Sequence, residues 1–145
     1  MDQGIKFVTP EMEKLATDAA ARGAEALATK GEFLPFVTLI PADDGDAEIV
    51  EIDETNPDKL VEAIREIVRD QRYRARLYAV CYDGYVRANG TEVDAVVVEF
   101  ANNTEVEAHA IGLPYDGEGD TFQIEEQATY LGECPTYFFV AENEM

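Results

Sequence analysis

Two carboxylates, Asp94 and Glu99, stand inside TEVDAVVVEF (residues 91–100), the most apolar extended run of the chain. Paired acids are what general acid–base chemistry uses, one holding a proton while the other stays ionised. The spacing argues against such a pair. Side chains alternate along a strand, so residues five apart point to opposite faces. Each acid therefore needs its own account.

Hairpin turns allow the register to be read. Asn89-Gly90 suits a two-residue turn, because both positions tolerate positive φ. It sets Ala88 opposite Thr91, Val86 opposite Val93, Tyr82 opposite Val97 and Val80 opposite Glu99. A second turn at Asn102-Asn103 would set Val106 opposite Glu99 and His109 opposite Val96. One face then collects Tyr78, Val80, Tyr82, Val86, Val93, Ala95 and Val97, with Glu99 as its only charge. A buried carboxylate must be paired, hydrogen-bonded or neutral. Tyr78 and Tyr82 flank Glu99 diagonally and offer two phenolic donors, and Arg74 or Arg76 offers a cation. A satisfied sheet-end carboxylate is the simpler expectation, and a pocket with catalytic use is the alternative.

The opposite face carries Asp83, Arg87, Asp94, Glu107 and His109, with Cys81, Val98 and Phe100 farther along. His109 is the only histidine, and the register sets it diagonal to Asp94. An imidazole among carboxylates is the raw material of a divalent metal site or an acid–base pair. Cross-strand charge pairing is the simpler expectation, and no metal, cofactor or catalytic residue is assigned. Arg65, Arg69 and Arg72 recur along one flank of a helix and would suit an anion. Glu62 and Glu66, each three residues before an arginine, make intrahelical pairing the plainer account.

Other chemistries lack their parts. The chain has no serine, no Gly-rich phosphate loop, no HExxH and no CxxC. Its two cysteines, Cys81 and Cys134, are expected as free thiols. Thirty-one acids against eleven bases give a net charge of −20, which opposes binding to nucleic acid or to anionic membranes. That charge fits either a proteome adapted to salt or a protein that docks on a basic partner. No run approaches a membrane span and the N-terminus does not read as a signal peptide, so a cytoplasmic protein is expected.

The elements that must position these residues are legible. Thr9 as cap, Pro10 and two early glutamates open a helix whose stripe of Met12, Leu15, Ala16, Ala19, Ala20, Gly23, Ala24, Leu27 and Ala28 ends at Gly31. FLPFVTLI and AEIVEI read as strands, and Asn56-Pro57 opens a second helix. From Ala75 the chain reads as an antiparallel meander that closes with TFQIEE and TYFFVAE. At 145 residues with 46% apolar composition, this is one domain over 1–145. The expected class is α+β: two helices packed on one face of a mainly antiparallel sheet of about five to seven strands.

GEFLPF (31–36), VDAVVVEF (93–100) and LPY (113–115), in that order after an amphipathic helix, resemble a family of small uncharacterised bacterial α+β proteins. The resemblance spans residues 15–115. It implies the fold class and brings no activity, cofactor or catalytic residue. The expectation is a non-enzymatic acidic interaction or accessory protein that binds a protein partner or itself. A homodimer through the open sheet face at Cys81, Val98, Phe100 and Ile111 is one form of it. The alternative is a ligand- or metal-binding domain or enzyme using the Asp83/Asp94/His109 face or the pocket at Glu99.

Overall fold

Each helix begins where its capping chemistry lies. A computed structural model describes residues 8–43, 45–54, 56–70, 74–104, 107–117 and 119–137. Helix α1 (Pro10–Lys30) starts with the Thr9 side chain accepting the Met12 N–H at 3.2 Å. It stops at Gly31, whose φ of 81° lets its N–H return to the Leu27 carbonyl. Helix α2 (Pro57–Arg69) starts with Asn56 Oδ1 accepting the N–H groups of Asp58 and Lys59 at 3.0 and 3.2 Å.

The strands are β1 (Phe36–Pro41), β2 (Glu48–Glu51), β3 (Ala75–Ala88), β4 (Thr91–Asn102), β5 (Glu107–Asp116), β6 (Gln123–Ile124) and β7 (Thr129–Pro135). Pairing runs β2-β1-β3-β4-β5, and β6 and β7 share the far side of β5. Every described pairing is antiparallel. The α+β class and the antiparallel sheet are as the sequence leads one to expect. The β3–β4 register agrees as well, residue for residue, around a turn with φ of 54° at Asn89 and 80° at Gly90.

The helices lie on opposite faces, where the sequence reading put them on one. Met12, Leu15, Ala16, Ala19, Ala20 and Leu27 of α1 pack on Leu77, Ala79, Cys81, Val96, Val98, Phe100 and Ile111. Ile64 and Val68 of α2 pack on Val37, Leu39, Tyr78 and Val80. The sheet face proposed for self-association is thus core: Cys81, Val98, Phe100 and Ile111 are all buried. The error came from treating a face as uniform. β3 spans roughly 46 Å at about 3.3 Å per residue, whereas a helix covers only about 10 Å across its axis. The same face is covered at Cys81 and exposed at Asp83, Tyr85 and Arg87.

The last described strand lies ahead of the expected TYFFVAE. β7 spans Thr129–Pro135, and most of TYFFVAE falls outside the described residues. Gly132 and Pro135 disguise β7, because both residues are rare in strand interiors. Its alternation of exposed and half-buried positions is regular all the same.

The small residues of α1 set how closely it approaches the sheet. A Cβ at Gly23 would lie 3.0 Å from Cys81 Sγ and 3.2 Å from Val96 Cγ1. Gly23→Val should therefore cost about 1–3 kcal/mol through overpacking. Ala21→Val, on the exposed side of the same helix, should cost less than about 1 kcal/mol. Urea unfolding measures both, and equal midpoints for the two variants would contradict the close contact.

Candidate functional site

The polar cluster read from the sequence comes apart in three dimensions. β4 pairs Phe100 with His109, Glu99 with Ala110 and Val96 with Leu113, a shift of four residues from the expected pairing. Asn102 is the cause. Its Oδ1 accepts the Thr104 N–H at 2.9 Å and the Thr104 hydroxyl at 2.6 Å, while the Asn103 N–H donates to the Arg76 carbonyl at 2.9 Å. Asn102 thus ends the strand instead of sitting within the turn, and the reversal comes later. Val106, expected opposite Glu99, lies outside the described residues.

Because the shift is even, His109 keeps its face but not its row. It sits across from Phe100, roughly 20 Å along β4 from Asp94 at about 3.3 Å per residue. The ring is 3% exposed and packs between Phe100 and Tyr130, at centroid distances of 5.8 and 6.1 Å. Its Nδ1 lies 3.0 Å from the Tyr130 hydroxyl. His109 therefore belongs to the core under α1 and not to a solvent-facing acid–base pair.

The other members have separate partners. Asp83 accepts the Tyr115 hydroxyl at 2.6 Å, and Asp94 stands opposite Tyr85 with its charge felt at Tyr115. Burial pushes the Tyr115 phenol up, and the Asp83 hydrogen bond and charge add to the shift. Arg87 and Glu92 face each other at 3.8 Å, an exposed pair worth about 0–1 kcal/mol. Glu107 is held above the usual carboxylate range by its hydrogen bond with Glu133 and by that residue's charge, with His109 pulling the other way. Among the described residues no group of three or more His, Cys, Asp or Glu side chains is arranged to hold a metal ion.

Glu99 is half-buried near the end of β4, with Tyr82 and Cys134 as donors. Tyr82 donates to Glu99 Oε2 at 2.7 Å, as its diagonal position foretold. The Cys134 thiol donates to Oε1 at 3.9 Å, and burial and then the Glu99 charge push the Tyr137 phenol up. Tyr78 is engaged elsewhere: its hydroxyl makes a long 3.4 Å contact to Thr136 Oγ1 and accepts the Tyr137 N–H at 3.0 Å. Glu99 acts on Tyr78 through its charge. Of the two candidate arginines, Arg76 forms a bidentate pair with Glu11 at 2.7 and 2.5 Å, and Arg74 is exposed.

The arginine flank of α2 joins the same region, where Arg69 Nε donates to the Tyr137 carbonyl at 3.0 Å. Arg72 lies outside the described residues. Sequence reasoning missed Cys134, Thr136 and Tyr137 because it did not recognise β7. Tyr130 and Cys134 are both half-buried in β7, Tyr130 against the α1-side cluster and Cys134 against the α2-side cluster across the register shift.

Burial first, and the Glu99 charge second, push the Tyr82 phenol up and raise the Cys134 thiol to about 12. Protons thus stay on the phenols and the thiol, which ties the segment after β7 to the sheet.

Comparison with models of known protein families, with curated proteins and with solved structures gave no match. The resemblance to the small bacterial α+β family rests on its three short segments alone.

The Cys134 shift has a definite sign. The unfolded thiol ionises near 9.0 and the folded one near 12, so the folded state holds more protons above pH 9. The contribution is full below pH 9 and is lost as pH rises through 12. Glu99→Gln removes the charge that helps hold this proton. It should shrink the alkaline loss of stability and speed iodoacetamide labelling of Cys134 severalfold at mildly alkaline pH. Unchanged labelling and an unchanged alkaline midpoint would show that Glu99 does not hold the thiol proton.

Proposed function

We propose that this chain is a non-enzymatic, acidic interaction protein that recognises a basic protein partner. One observation carries the reading: several surface cations are already engaged, while acids nearby are not. Arg76 is bound to Glu11, Lys14 to Asp18 at 2.7 Å, and Arg69 to the Tyr137 carbonyl. Arg22 lies 5.6 Å over the Phe36 ring. Among the described residues, Asp46, Glu48, Glu51 and Asp53 have no cation partner. All described carboxylates except Glu13, Glu54, Asp70 and Glu99 are exposed. Such a surface attracts a positively charged partner at long range and repels nucleic acid, anionic membranes and its own copies.

The ligand- or metal-binding alternative has less support. Its sheet-face form needs Asp83, Asp94 and His109 on one accessible patch, and His109 is buried in another row; its other form uses Glu99, whose carboxylate is engaged by Tyr82 and Cys134. A cytoplasmic setting fits the proposal, and no described helix is long and apolar enough to cross a membrane.

The test is a pull-down with the tagged chain from native lysate at two salt concentrations, read by mass spectrometry and followed by association kinetics with the retained protein. A basic protein should be held in stoichiometric amount at ~50 mM salt and released at ~500 mM, with its association slowed at least about tenfold. Asp46→Asn with Asp53→Asn should slow association and leave the melting temperature unchanged. Retention that ignores salt, or retention of acidic proteins only, would count against the proposal.

A further inference from the structure

The sheet ends at β2, and nothing among the described residues pairs with its outer edge. The strand reads Glu48-Ile49-Val50-Glu51. Pairing with β1 sets its faces: Ile49 and Glu51 stand beside Thr38 and Phe36 on the α1 side, and Glu48 and Val50 beside Leu39 and Val37 on the α2 side. Ile49 is 45% exposed. It forms one wall of an open, mainly apolar groove of about 440 Å³, whose floor includes Leu15, Ala19 and Ile40. The groove's own cations, Lys14 and Arg22, are engaged with Asp18 and Phe36, whereas Glu48 and Glu51 have no cation partner among the described residues.

The two ends of the sheet are guarded differently. β7, at the other end, carries a register shift against β5, Gly132 at a φ of 113° and Pro135. Those backbone features blunt an edge against any strand. β2 has no proline and no register shift against β1. Its guard is charge on a short strand, and a charge guard excludes only partners of the same sign.

We infer that the outer edge of β2 is a docking strand for an extended, basic segment of a partner protein, in the order base–apolar–apolar–base across Glu48, Ile49, Val50 and Glu51. The inference rests on the interaction function proposed above and names the partner's chemistry. Strand addition supplies backbone hydrogen bonds, and directly opposed side chains supply selectivity. A base opposite each glutamate relieves an unpaired charge, and an apolar residue opposite Ile49 covers the exposed wall of the groove. The acid–apolar–apolar–acid order reads the same in both directions, so parallel and antiparallel segments meet the same requirement. A second copy of this chain does not: antiparallel β2–β2 pairing sets Glu48 against Glu51 twice, and opposed like charges destabilise a sheet.

Two synthetic peptides of identical composition test the inference, one with Arg-Ile-Val-Arg at its centre and one with Ile-Arg-Arg-Val, each flanked by threonines. Affinity is read by fluorescence anisotropy at low salt and location by backbone amide shifts. The first peptide should bind at least tenfold more tightly, with shifts centred on β2 and β1. Ile49→Thr should weaken it at least fivefold, and Glu48→Lys with Glu51→Lys should transfer the preference to a Glu-Ile-Val-Glu peptide. Equal, salt-sensitive binding of both peptides with shifts spread over the acidic surface would overturn the docking strand and leave the acidic-interaction proposal standing. Binding of neither peptide at low salt would overturn both. Dimerisation through β2 at low salt, seen by sedimentation, would also overturn the inference.

Discussion

The register between β3 and β4 is the constraint on which the rest of the molecule depends. A two-residue turn with both φ values positive admits one pairing, and a slip of one residue would exchange the two faces. With that pairing in place, Cys81, Val96, Val98 and Phe100 are delivered to α1, and Tyr78 and Val80 to α2. Both cores are built on one hairpin. α1 offers mostly alanine and a glycine, so its fit depends on the sheet presenting branched and aromatic side chains at close range.

The same hairpin explains why acids stand in so apolar a strand. Asp94 lies in the part of β4 that projects beyond α1, where the face has become solvent. Glu99 lies at the covered end, where the neighbouring segment brings hydroxyl and thiol donors to it. One acid keeps an exposed stretch wet, and the other fastens β7 and its continuation to the sheet.

Much of this was legible in the sequence, and the failures share a cause. Caps, the α1 stripe, the Asn89-Gly90 register and the diagonal between Tyr82 and Glu99 all follow from local rules about backbone and side-chain spacing. The placement of His109 failed because Asn102 used its side chain to close a turn on Thr104, and no propensity distinguishes that from Asn102 occupying the turn. The layering failed because covered length, not face identity, decides which residues are core. Cys134 and Tyr137 could not be joined to Glu99 without β7, whose glycine and proline mask its alternation. Long-range partners of a correctly placed residue were thus harder to read than the residue itself.

Salt links the two accounts of the acidic surface. Glutamates at a strand edge act within a Debye length, about 8 Å at physiological ionic strength and about 3 Å at 1 M. In the proposed function, the field of Asp46, Glu48, Glu51 and Asp53 would steer a basic segment from a distance in dilute salt and keep copies of the chain apart. In molar salt the steering is gone, and only charges in direct contact still discriminate. Ile49 and Val50 then carry more of any encounter at β2, because excluded salts strengthen apolar burial while screening charge. A chain adapted to concentrated salt would thus keep its edge selective only through the acid–apolar–apolar–acid order of the strand. The order of residues in β2, more than the total of −20, is therefore what separates a solubilising charge from a recognising one.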